Sequence, residues 1–321
     1  MKKFILFAMA LAALCACRVK DAPQEVQQQP EPVVFTASYG NSRTTTDGNG
    51  KVLWSPGDEV AIWNTTDVNA SLFTAHVSEA SLISELWGTF DTEGYNFDAD
   101  KDKDKDKDQE SSAMSAYVAV YPYSLVGSQW GKPLNSSYSQ SNPTWDCMVT
   151  LPKEQTARAD SFDDNLFVSY AVSQTKELRF HHATGGFKFT VTSSNITRVE
   201  IETEYGYNNF LTDIGYLYFD AETYDFRLSK SGDNHAWLVA PDGQTLIPGK
   251  YYYIVTWPAI LANGFKVKFV TADGGCKNLT VTSSLEIRAG HFLRIENFDA
   301  SAEEHGMGSG DLEDISYDPI N

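Results

Sequence analysis

Cys15 and Cys17 stand at the end of an apolar run, residues 4–14, that is headed by Lys2 and Lys3. A short positive head, a short apolar run and a small residue before a cysteine are the marks of a bacterial lipoprotein signal, in which the new N-terminal cysteine takes a lipid on its sulfur and amine. Cys17 follows Ala16, whereas Cys15 follows the bulky Leu14, so Cys17 is the expected lipidation residue and 1–16 the expected signal peptide. The run is too short and wrongly flanked to span a bilayer, which leaves the lipid as the expected attachment. Cys147 and Cys276 lie far apart in the sequence, so no disulfide framework is expected.

Other groupings carry less chemistry. His181 and His182 are adjacent, and neighbouring residues of a strand face opposite ways, so the two imidazoles are not expected to share a metal ion. The alternating Lys-Asp tract at 100–108 places an acid at every second position, as a calcium loop begins. It lacks the turn glycine and distal glutamate, and reads as a solvated surface loop. There is no nucleophile elbow, paired-histidine zinc helix or phosphate-cradling glycine loop. With 43 acids a glycosidase pair stays open, but no catalytic residue, metal or cofactor is assigned and the chain is expected not to be an enzyme.

The elements that must position these residues read as strands. Of 321 residues 42% are hydrophobic and 13% aromatic, enough for real cores. The net charge of −18 argues against nucleic acid or anionic lipid as a partner of the folded part. After a Gln/Pro/Glu-rich tether at 17–32, short β-rich runs follow at 33–38, 51–54, 59–63, 72–77, 85–90, 116–121, 148–151 and 166–172. A second set lies at 177–180, 186–192, 198–204, 217–220, 237–240, 251–257, 265–271, 277–281 and 291–297. No long segment keeps a 3.6-residue period, so the fold class is all-β, with antiparallel sheets folded as sandwiches. A division near 174/175 gives an N-terminal β-sandwich over 33–174, with the charged loop 100–112 inserted in it, and a C-terminal one over 175–298. An acidic, glycine-containing flexible tail over 299–321 completes the chain.

Several short motifs occur in a specific order: Ser42-Arg43-Thr44, then residues 54–63 (WSPGDEVAIW), Tyr121-Pro122, residues 151–155 (LPKEQ), residues 178–183 (LRFHHA), residues 249–252 (GKYY) and Ala289-Gly290-His291. In this order the chain resembles the fimbrillin-like family over most of its length after the signal. The resemblance implies two transthyretin-like antiparallel β-sandwich domains in tandem. It also implies a lipid-anchored precursor exported to the cell outer membrane, and a role as a surface pilus (fimbrium) subunit in adhesion. Its partners would be other pilus subunits, joined by β-strand addition, with host protein or glycan as further partners and no nucleic acid. In shaft-forming members an arginine-directed protease removes the N-terminal segment, which makes Arg43, in a turn after the first strand, the expected processing residue. The tail has seven acids, no Lys or Arg, and period-two apolar spacing only at Ile315 and Tyr317, so it is expected to donate a strand poorly. A tip, accessory or anchor position is therefore expected rather than the shaft. The alternative is a non-polymerising surface lipoprotein that binds glycan or host protein.

Overall fold

The computed structural model describes residues 32–39, 53–64, 69–90, 116–127, 135–139, 142–220, 223, 225–302 and 312–314. These residues are all-β, with short 3-10 turns and no α-helix among them. The first ten strands are β1 (Val33–Tyr39), β2 (Glu59–Asn64), β3 (Ser71–His76), β4 (Ile83–Gly88), β5 (Tyr117–Tyr121), β6 (Asn135–Ser139), β7 (Asn142–Leu151), β8 (Glu154–Thr156), β9 (Ser169–Ser173) and β10 (Glu177–His182). There follow β11 (Gly185–Phe189), β12 (Ile196–Thr203), β13 (Thr212–Asp220), β14 (Phe226–Asp233), β15 (His235–Val239), β16 (Tyr252–Thr256), β17 (Ala259–Leu261), β18 (Phe265–Thr271), β19 (Cys276–Val281), β20 (Leu285–Ile287), β21 (Phe292–Ile295) and β22 (Leu312–Asp314).

Seven strands close into a barrel in the order β1-β10-β9-β5-β2-β3-β4, with β4 returning to β1. Only β1 and β10 run parallel; the other neighbours are antiparallel. The interior alternates large rings with alanines. Phe35, Tyr39, Trp54, Phe73 and Phe180 meet Ala37, Ala75, Ala119 and Ala171, the size mixture that fills a small barrel without voids. Of the strand expected at 51–54, only Trp54 is bridged among the described residues, to Ser81, because Ser55-Pro56-Gly57-Asp58 turns the chain at once.

Strands β2 and β5 are buried on both faces. Val60, Ile62, Ala119 and Tyr121 enter the barrel, while Ala61, Trp63, Val118 and Val120 face a second core. That core also receives Cys147, Val149 and Leu151 of β7, Leu217 and Phe219 of β13, and Val255 and Trp257. Two-sided burial is why 59–63 and 116–121 read as nearly continuous apolar runs rather than alternating ones. The third core lies between the sheet β16-β11-β21-β22 and the sheet β19-β18-β12-β15-β8, around Phe187, Phe189, Ile201, Leu238, Val267 and Phe269. Cys147 is buried and Cys276 exposed, both as free thiols; burial pushes the Cys147 thiol well above its ordinary pKa.

The sheets do not follow a division at 174/175. β10 continues the barrel, pairing His181 with Tyr170 and His182 with Ser169, whereas the earlier β7 and β8 pair with β13 and β15. The chain leaves the barrel through Thr184-Gly185-Gly186. A Cβ on Gly186 (φ 153°) would lie 2.0 Å from the Ile254 carbonyl oxygen, so only glycine fits this crossing. Strand β14, not expected from its polar sequence, is held along its length by β13 and turns Lys230 inward. The Lys230 ammonium donates to the carbonyls of Asn208, Phe210 and Pro258. The tail boundary expected at 299 also moves. Asp299 is buried, its carboxylate accepting from the Thr192 and Ser193 amides and the Thr192 hydroxyl at 2.6–2.8 Å, and Leu312–Asp314 pairs antiparallel with β21.

Candidate functional site

Strand β1 is the element around which a site can be built. Its sequence alternates Phe35, Ala37 and Tyr39 with Val34, Thr36 and Ser38, and the first set is buried while Thr36 is exposed. The structure extends the expected strand 33–38 by one residue, Tyr39, which continues the same period of two. β1 pairs with β4 from Val33↔Gly88 to Ser38↔Ile83, and with β10 from Thr36↔Glu177 to Tyr39↔Phe180. Phe35 packs edge-on against Phe73 at 5.3 Å and Tyr117 at 4.8 Å. Tyr39 stacks on Trp54 at 4.8 Å and on His182 at 5.5 Å. Thus one strand supplies an aromatic plug at each end of the barrel interior with a small residue between them.

His182 closes the Tyr39 end. Its ring meets Phe167 at 4.4 Å and its Nδ1 is 2.9 Å from the Ser169 hydroxyl. Burial first, and then the nearby His181 and His291, push its pKa down to about 3, so it is neutral at physiological pH. His181 points outward, 5.8 Å from the Tyr170 ring, as strand alternation requires. The two imidazoles face apart, and among the described residues no group of three His, Cys, Asp or Glu could hold a metal ion.

The other sequence motifs serve the fold. Asp58 accepts from the Ser55 amide at 2.8 Å and from the Tyr121 hydroxyl at 3.4 Å, fastening the turn that delivers Trp54 to the barrel. In 151–155 the buried Gln155 amide behaves as a strand partner. It donates to the Val255 carbonyl at 2.6 Å and accepts from the Val255 amide at 2.8 Å, closing the outer edge of β16. Lys153 pairs with Asp233 and lies over the Trp237 ring at 5.2 Å, and Glu154 accepts from the Trp237 indole at 3.0 Å. Cys17, Arg43 and the charged loop 100–112 lie outside the described residues.

No family profile matches the chain, and no curated protein matches it. Similar solved structures include a protein with a proposed cell-adhesion role from Bacteroides ovatus, 12% identical, covering 90% of this chain and 99% of its own, with a TM-score of 0.47. A C-terminally truncated tip fimbrial protein of Porphyromonas gingivalis is 8% identical, with 78% and 82% covered and a TM-score of 0.28. A fimbrial protein of Bacteroides ovatus is 12% identical, with 82% and 47% covered and a TM-score of 0.26. Likenesses this distant leave the site to be read from its own geometry.

Proposed function

We propose that the chain is a fimbrillin-like structural subunit of a surface pilus, lipidated at Cys17, exported to the outer membrane and joined to its neighbours by β-strand exchange. The fold this reading implies is a tandem of transthyretin-like sandwiches, the barrel β1-β10-β9-β5-β2-β3-β4 first and the unit around β11 and β12 second. The observation that supports it is the place of β1, an N-terminal strand that completes a closed sheet with alternating inward side chains and precedes Arg43 in the chain. Cleavage after Arg43 would release β1 together with the lipid. Losing Phe35, Ala37 and Tyr39 forfeits about 5 kcal/mol of apolar burial, a large part of the ~5–15 kcal/mol that stabilises a domain. The opened groove, with the free edges of β4 and β10, then takes an extended strand of another subunit through main-chain hydrogen bonds and alternating pockets.

A tip, accessory or anchor position fits better than a shaft one, because Leu312–Asp314 is paired to β21 of its own chain and the remaining tail keeps period-two apolar spacing only at Ile315 and Tyr317. The same pairing supports a second reading, a non-polymerising surface lipoprotein that binds glycan or host protein. Unheated gels and terminal mass analysis of sheared surface protein separate the two. The pilus reading expects detergent-resistant ladders of chains beginning at Thr44. A monomer beginning at lipidated Cys17 gives the second reading, and an unmodified Cys17 overturns both.

A further inference from the structure

The outward face of β9 and β10 forms one wall of an open cleft of about 600 Å³, and the start of β14 forms the other. Three of its lining residues carry rings: Tyr170 on β9 and Phe226 on β14 stack on each other with centroids 3.9 Å apart and 17° between planes, and the exposed His181 ring lies 5.8 Å from Tyr170. Its rim is polar and of both signs, with Glu177 and Arg179 from β10 and Asp225 from the segment before β14. None of these three side chains forms an ion pair among the described residues, although a strand surface ordinarily pairs such charges across neighbours.

We propose that this cleft is a binding site for a neutral oligosaccharide. The volume lies in the range of small-ligand sites. A pyranose ring offers a C–H face that packs on an exposed ring, here His181 beside the Tyr170–Phe226 pair, and equatorial hydroxyls that both donate and accept. The rim matches the second requirement: the Arg179 guanidinium donates, and the Glu177 and Asp225 carboxylates accept. His181 adds one donor and one acceptor, since burial and the Arg179 charge lower its pKa and favour the neutral ring. Burial pushes the Tyr170 hydroxyl up to about 12, so it stays a donor. Two carboxylates against one guanidinium disfavour phosphate or uronate ligands. The cleft is lined by β9, β10 and β14, and β1 borders it through its pairing with β10 at Glu177 and Arg179, so the site rests on the glycan-binding reading above and is tested with β1 in place.

The test is calorimetric titration of the full chain with maltohexaose, xylohexaose and mannohexaose, with trigalacturonate as the acidic comparison. At least one neutral sugar should bind with a Kd of about 1 mM or tighter, and Arg179→Ala and Glu177→Gln should each weaken it roughly tenfold or more. Both residues are exposed, so unchanged melting temperatures establish that the variants fold, and Lys266→Ala on β18 should bind as the parent does. Failure of all three neutral sugars, tighter binding of trigalacturonate, or parent-like affinity in both cleft variants overturns the proposal.

Discussion

His182 shows how one residue ties the barrel to pH. Its folded pKa lies near 3 against an ordinary 6.5, so between those values the unfolded chain holds a proton that the folded chain refuses. Stability is therefore complete above about pH 6.5 and is lost as pH falls toward 3, with a loss of about 2 kcal/mol at pH 5. Denaturant midpoints at pH 7 and pH 5 should differ by this amount, and His182→Gln, which keeps an amide for Ser169, should be less stable at pH 7 but nearly flat over the interval. His181 has a lowered pKa for a related reason, so His181→Gln is the control and should retain most of the slope. A slope that survives His182→Gln would assign the effect elsewhere. Strand alternation alone placed His181 and His182 on opposite faces. The Ser169 partner comes from β9, and the burial that moves the pKa comes from Tyr39 of β1 and from Phe167 before β9, none of which sequence spacing aligns with β10.

At the scale of elements, the alternating and doubly buried strands were legible because their side chains record burial directly. The short or polar ones were not. β8 is three residues held by β15, and β14 has a polar sequence stabilised by β13 and by Lys230 on three carbonyls; neither cause is local. The pairing of β10 was not legible for the same reason, since it is bound to the barrel by β1 and β9, one of them distant in sequence. The most consequential element is β1. A chain beginning at Thr44 should be less stable than one beginning at Pro32 by about 5 kcal/mol, and a synthetic peptide of residues 32–41 should restore the midpoint in a saturable way. Replacing Phe35 and Tyr39 of that peptide by alanine should abolish rescue, while replacing the exposed Thr36 should not. A truncated chain as stable as the longer one would remove β1 from any exchange.

For the whole molecule the governing quantity is charge. The full chain carries −18 and residues 1–43 a net +2, so copies cleaved after Arg43 carry −18 − 2 = −20 and repel over the Debye length, about 30 Å at 0.01 M salt and about 8 Å at 0.15 M. The contacts that exchange would form are apolar side chains in pockets and main-chain hydrogen bonds, which salt in this range scarcely weakens. Repulsion is screened while the attraction is kept. Assembly of chains cleaved after Arg43, followed by light scattering, should therefore accelerate severalfold when sodium chloride is raised from about 0.01 M to about 0.15 M, without changing the detergent resistance of the product. An assembly that salt slows or dissolves would be held by opposite charges, such as acidic segments on the basic side chains around Lys188 and Arg294, and β-strand exchange through the β1 groove would not be what joins the copies.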